Sequence, residues 1–154
     1  MTGSPADVHP VLRRAAAPPA ALDLLDKAER GLESAAACED PGDAYVAVHL
    51  AALRTAAAVL AVRGRPEITE RGRRRIRSVW DMLPEAAPEL AEWSALFTAS
   101  AARRARVEAG VRDAVRPDEA DELARAAGMF LRLVRTMLPH RPTLPRQPAG
   151  GAGG

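Results

Sequence analysis

The fold class follows from one stretch of the sequence, PDEADELARAAGMFLRLVRTM at residues 117–137. A proline and two acidic residues open it, which favours a helix start because proline has a fixed φ and negative charge is stabilised at a helix N-terminus. Apolar residues then recur at alternating three- and four-residue steps, namely Ala120, Leu123, Ala127, Phe130, Val134 and Met137. This spacing predicts an amphipathic helix with one face in a bundle seam.

Four further helices are expected before this one, separated by Pro, Gly and acidic turn signals. They span about 20–37, 43–64, 67–83 and 88–115. Asp43 is placed to cap the second helix, which is apolar nearly all round and is therefore expected to be the most buried. Whether the fourth helix is broken near residues 98–100 stays open.

The composition agrees with a helical protein, since Ala, Leu, Arg and Glu dominate and β-branched and aromatic residues are sparse. The length of 154 residues is typical of one domain. We therefore predict an all-α up-and-down bundle of four to five helices over residues 18–138. Residues 1–17 lack periodicity, and residues 139–154 are rich in Pro and Gly, so both are predicted to be disordered tails.

The charges and the single cysteine bear on compartment and partners. The 22 basic and 20 acidic residues leave a net charge of +2, too small for a whole-molecule attraction to DNA or an anionic membrane. A lone Cys38 cannot form an intramolecular disulfide, which agrees with a reducing cytoplasm. The three histidines are far apart and the sequence has no P-loop, Rossmann or CxxC motif, so neither a metal site nor a cofactor is expected.

Residues 44–62 are long and apolar enough to span a bilayer. The central Arg54 opposes insertion by about as much as the Leu and Val residues favour it, and alanine contributes almost nothing. A buried central helix is therefore the better interpretation, and no membrane association is expected.

Residues 63–77 hold seven arginines against two glutamates. Five of these arginines could contact the phosphates of an RNA or DNA backbone; they are Arg71, Arg73, Arg74, Arg75 and Arg77. The favoured interpretation is a solvated or acid-paired surface, because no aromatic residues are interleaved to stack bases. The acidic first helix would be its internal or dimeric partner, since residues 20–43 carry seven acids against two bases.

Two pairs of residues are candidates for a functional site. Arg135 precedes His140 by five positions, a spacing that could place a guanidinium and an imidazole around one phosphodiester. In so arginine-rich a sequence this spacing also arises by chance. Tyr45 and His49 lie one turn apart in the apolar second helix, where they would line a pocket or an interface, or where His49 would bond to a core neighbour.

Several segments resemble a family of actinobacterial HEPN-domain proteins (higher eukaryotes and prokaryotes nucleotide-binding domain). They are YVAVHLAALRTAAAVL at 45–60, RGRP at 63–66, RIRSVW at 75–80, PELAEWSALF at 88–97 and FLRLV at 130–134. The resemblance covers about residues 10–140. It implies a four- or five-helix bundle, commonly dimeric, and in many members a metal-independent ribonuclease of toxin–antitoxin and antiviral systems with an Arg-x4-6-His motif paired across the dimer.

By this resemblance Arg135 would stabilise the phosphate and His140 would be the general base. Thr136 stands where active members usually have Asn, Asp or His, and Pro139 is expected to end the helix before His140, so the two side chains would be poorly positioned. Our leading hypothesis is a non-catalytic, cytoplasmic HEPN homodimer that binds a nucleotide, RNA or a protein. The alternative is a toxin-like endoribonuclease with Arg135 and His140 at a dimer interface.

Overall fold

The computed structural model describes residues 17–64 and 77–138, and within them the chain forms five α-helices and no β-strand. The helices are α1 Pro19–Ala36, α2 Pro41–Arg63, α3 Val79–Ala86, α4 Ala91–Glu108 and α5 Pro117–Met137, with a 3₁₀ turn at Pro88–Leu90 before α4. The prediction of an all-α bundle is confirmed. The predicted tails lie outside the described residues, apart from Ala17, which is buried.

Helix α2 is the centre of the bundle and packs against α1, α3, α4 and α5. It has more buried residues than any other described helix, as its uniformly apolar sequence predicted, but they lie on one half of the helix, and Leu50 on the other half is 38% exposed. By length and composition α2 could also cross a membrane, but 50% of its apolar window is buried inside the bundle. The core helix of a soluble bundle has these same properties.

The start of α2 differs from the sequence prediction. The N-cap is Asp40 and not Asp43: a side-chain oxygen of Asp40 accepts a hydrogen bond from the backbone N–H of Asp43 at 2.9 Å. Pro41 explains the difference, because it lacks an N–H and its fixed φ suits the first helical position. Asp43 instead contributes negative charge to the first turn.

Helix α3 begins later than predicted. Arg77 and Ser78 are not helical, and the Ser78 side chain caps α3 by accepting from the backbone N–H of Asp81 at 3.1 Å. The earlier part of the predicted third helix, residues 67–76, lies outside the described residues. Pro84 was expected to end this helix but lies inside it. Proline lacks the N–H that would bond to the carbonyl four residues earlier, which is that of Trp80. The buried Ser94 hydroxyl donates to this carbonyl oxygen instead.

Helix α4 is continuous through residues 98–100. The hydroxyls of Thr98 and Ser100 donate to carbonyls of their own helix, at 2.8 and 3.0 Å, so they do not interrupt it. The helix ends at Glu108, earlier than the predicted residue 115. Gly110 has φ +80°, and the backbone N–H groups of Gly110 and Val111 bond back to the carbonyls of Val107 and Arg106, a Schellman ending that glycine favours.

Four aromatic rings hold α3, α4 and α5 together. Phe97 of α4 is fully buried, and its ring centroid lies 5.1 Å from that of Trp80, 6.3 Å from that of Trp93 and 5.2 Å from that of Phe130. Trp93 and Phe130 are 5.4 Å apart. Trp93 thus meets the C-terminal half of α5 and Arg103 meets Glu119 near its N-terminus, so α4 and α5 run antiparallel.

Candidate binding site

Arg135 lies in the last turn of α5 and contacts two carboxylates of α1. Its Nη2 atom is 3.3 Å from Oδ1 of Asp26 and 3.1 Å from Oε2 of Glu29. Both acids are exposed and belong to the acidic segment at residues 20–43. The positive charge of the Arg135 guanidinium is therefore paired with two carboxylates.

The other half of the Arg135–His140 pair lies outside the described residues. Helix α5 ends at Met137, and Leu138 has extended backbone and a buried side chain. Of the five arginines considered for phosphate binding, Arg71, Arg73, Arg74 and Arg75 also lie outside the described residues. Arg77 is described, and it forms an ion pair with Glu85.

His49 of α2 is buried against α4. It is 1% exposed, and its Nδ1 atom lies 2.7 Å from the Ser100 hydroxyl oxygen. The Ser100 oxygen also lies 3.0 Å from the carbonyl oxygen of Phe97, so the single hydroxyl hydrogen goes either to that carbonyl or to Nδ1 of His49. Burial lowers the pKa of His49 to about 4, and Arg104 acts in the same direction while Glu108 opposes it.

This serine–histidine contact is not arranged for nucleophilic catalysis. A general base must accept the serine proton and become charged, whereas His49 is 1% exposed, a position in which burial disfavours the charged imidazolium. A pKa of about 4 also makes the imidazole a weak base near neutral pH. The contact is a structural link between α2 and α4.

Tyr45 lies one turn before His49 and faces an open pocket of about 280 Å³. The pocket lies between α2, α4 and α5 and is lined by Tyr45, Leu96, Ala99, Ser100, Arg103, Glu119, Glu122, Leu123 and Ala126. The Tyr45 side chain is buried, and burial raises its pKa while Arg103 and Ser100 act in the opposite direction. Its hydroxyl is therefore neutral near neutral pH.

The charged groups of the pocket come from α4 and α5. Arg103 forms an ion pair with Glu119, and Glu119 also accepts from the backbone N–H of Arg116 at 3.0 Å. Glu122 makes no ion pair with any residue of 17–64 or 77–138. The same part of the chain contains no cluster of His, Cys, Asp or Glu that could hold a metal ion.

Sequence reasoning identified Tyr45 but not its neighbours in the pocket. Residues 96, 99, 100 and 103 share a face of α4, and residues 119, 122, 123 and 126 share a face of α5, at the spacing of adjacent helical turns. That spacing is visible in the sequence, yet it belongs to almost any amphipathic helix. The antiparallel pairing of α4 with α5 is what brings the two sets together.

A sequence model of the SAV_6107-like HEPN family matches residues 35–135. The chain belongs to this family. Comparison with curated proteins and with solved structures gives no significant match. The resemblance to actinobacterial HEPN proteins is thus confirmed, and the matched range contains α2, α3, α4 and nearly all of α5.

The limits of the HEPN match separate the two candidate regions. The matched range contains every residue that lines the pocket. It begins at residue 35, after Asp26 and Glu29 of α1, and it ends at Arg135, before His140. The HEPN family model therefore covers the pocket completely and the arginine–histidine pair only in part.

Proposed function

We propose that this HEPN domain is a non-catalytic, cytoplasmic binding module. The observation that carries the proposal is the contact of Arg135 with Asp26 and Glu29. An arginine that stabilises a reacting phosphate must present its donors to that phosphate. Here two carboxylates take up donors of the guanidinium, and their combined charge repels an approaching anion.

The end of α5 supports the same conclusion. The helix that positions Arg135 stops at Met137, three residues before His140 in the sequence. General acid–base catalysis needs the two groups held to within a fraction of an ångström. The free and exposed Cys38 agrees with a reducing compartment.

An RNA cleavage assay tests the proposal. We expect the wild-type protein and the Arg135→Ala/His140→Ala variant to leave mixed cellular RNA equally intact on a gel, in buffer containing EDTA. An Asp26→Asn/Glu29→Gln variant, which frees Arg135, is expected to be inactive as well. Cutting by the wild type and not by the alanine variant would identify a ribonuclease. Cutting by the Asn/Gln variant alone would identify a nuclease held inactive by α1.

RNA binding without cleavage is tested separately. Filter binding of labelled RNA at rising salt measures how many phosphates the protein contacts. We expect the filter-bound protein to retain little RNA. Neutralising the arginines at 71, 73, 74, 75 and 77 should change the amount of retained RNA little. Strong retention that falls with salt and with those substitutions would make RNA the ligand.

We further propose that the module is a homodimer. Met129 and Leu133 lie four residues apart on α5 and are 53% and 37% exposed, so they form an apolar surface on one helix face. Light scattering after size exclusion is expected to give twice the chain mass for the wild type. Replacing both residues by aspartate should give a monomer, whereas Val111→Asp, at an exposed apolar residue outside the helices, should not. A monomeric wild type would refute the proposal.

A further inference from the structure

The pocket between α2, α4 and α5 has the composition of a ligand site. Its lining combines the buried Tyr45, whose hydroxyl is neutral, with apolar side chains of α4 and α5 and with three charged groups, those of Arg103, Glu119 and Glu122. Small-molecule sites typically combine apolar walls with a few converging polar groups. At about 280 Å³ this one is slightly smaller than the usual range of about 300–1,000 Å³, so it suits a group the size of one amino-acid side chain.

The charges of the pocket favour a cation. Arg103 is neutralised by its ion pair with Glu119, so it does not present a free positive charge to an anion. Glu122 adds a second carboxylate, which makes no ion pair among the described residues. The three charged groups together therefore carry a net charge of −1.

The walls define the rest of the ligand. Leu96 and Ala99 of α4 and Leu123 and Ala126 of α5 line the pocket, and Leu96 is 40% exposed. These surfaces can pack against a short methylene chain. A polar head with hydrogen-bond donors would then reach the Glu122 carboxylate.

We propose that this pocket binds a guanidinium or ammonium group carried on a short apolar stem. The head pairs with the Glu122 carboxylate and the stem packs between Leu96 and Leu123. The proposal rests on the binding role proposed above and names the ligand class of this pocket. The same chemistry is offered by a free small amine and by the basic side chain of a second copy of this chain.

The single tyrosine of the chain provides a direct reporter. In protein labelled with ¹³C at tyrosine, every ring signal comes from Tyr45, which lines the pocket. Titration with butylguanidinium is expected to shift these signals saturably. Butylurea has the same shape without the charge, so it should bind about tenfold more weakly or not at all, as expected when a hydrogen bond to a charged group is lost.

Two exposed acidic residues on α5 give a matched pair of variants. Glu122→Gln is expected to weaken butylguanidinium binding about tenfold. Asp121→Asn removes the same charge at the adjacent position, which does not line the pocket, and should change the affinity less than about twofold, the small effect usual for an exposed charge. Because both residues are exposed, neither substitution threatens the fold.

Several results would overturn the proposal: Tyr45 signals that butylguanidinium does not move, equal binding of butylurea, a response to inorganic phosphate instead, or equal losses in the two variants. If the Tyr45 signals shift with protein concentration, and if adding butylguanidinium brings them to the same position at every concentration, the basic group is a side chain of a second copy. Saturable binding at constant oligomeric state would identify a free amine. RNA cleavage is measured separately, so a failed titration leaves the non-catalytic function standing.

Discussion

Replacing Phe97 by alanine is expected to lower the free energy of unfolding by about 3–5 kcal/mol, the usual cost of truncating a buried aromatic ring. The ring is fully buried and contacts Trp80, Trp93 and Phe130. Its removal would leave a cavity where α3, α4 and α5 meet. Because folded domains are stable by only about 5–15 kcal/mol, we expect the midpoint of urea denaturation to fall steeply.

Leu96→Ala is the control for this experiment. Leu96 precedes Phe97 on the same helix but is 40% exposed, so its truncation is expected to cost less than about 1 kcal/mol. If Phe97→Ala does not fold, Phe97→Leu leaves a smaller cavity and should show an intermediate loss. Equal losses at the two positions would contradict the burial that the structure assigns to Phe97.

The second large effect is a dependence of stability on pH caused by His49. The pKa of His49 is about 4 in the folded chain, against an ordinary value of 6.5. Below pH 6.5 the unfolded chain binds a proton that the folded chain does not, so protonation favours unfolding. The contribution of neutral His49 to the free energy of unfolding is fully present above pH 6.5 and is lost as the pH falls towards 4. Over this whole window it amounts to at most about 3 kcal/mol.

His49→Gln tests this expectation. Glutamine is uncharged at every pH and retains an N–H that can donate to Ser100. Urea denaturation of both proteins at pH 7, 6 and 5 should show the wild type losing more stability than the variant as the pH falls. The difference between the two curves removes the contribution of the carboxyl groups, which both proteins share. Parallel curves would show that His49 ionises in the folded chain as readily as in the unfolded chain.

The helices and their buried faces were largely predictable from the sequence. The buried residues of α5 include Ala120, Leu123, Ala127, Phe130 and Val134, and this was the predicted seam. Periodicity predicts such a face because each residue of a regular helix has a direction set by its position. The start of α5 at Pro117 was predicted for the same local reason, since proline suits the first turn.

The predicted start of α2 and the predicted end of α3 were wrong, because neighbouring residues affect which residue caps or ends a helix. The segment DPGD at residues 40–43 offers two aspartates for one cap, and the neighbouring proline selects the first. The sequence predicts that the helix ends before Pro84, because proline removes a backbone hydrogen bond. It is tolerated inside α3 because Ser94, ten residues later in the sequence, donates to the carbonyl that it leaves free.

The sequence by itself determined the HEPN family, the helical class and the faces that form the core, because these depend on patterns repeated along each helix. Only the tertiary structure decided the surroundings of the candidate functional groups. His49 meets Ser100, 51 residues away, and Arg135 meets Asp26, 109 residues away. Such contacts depend on how separate helices cross, and the periodicity of one helix contains no information about the polar groups on the helix it will meet.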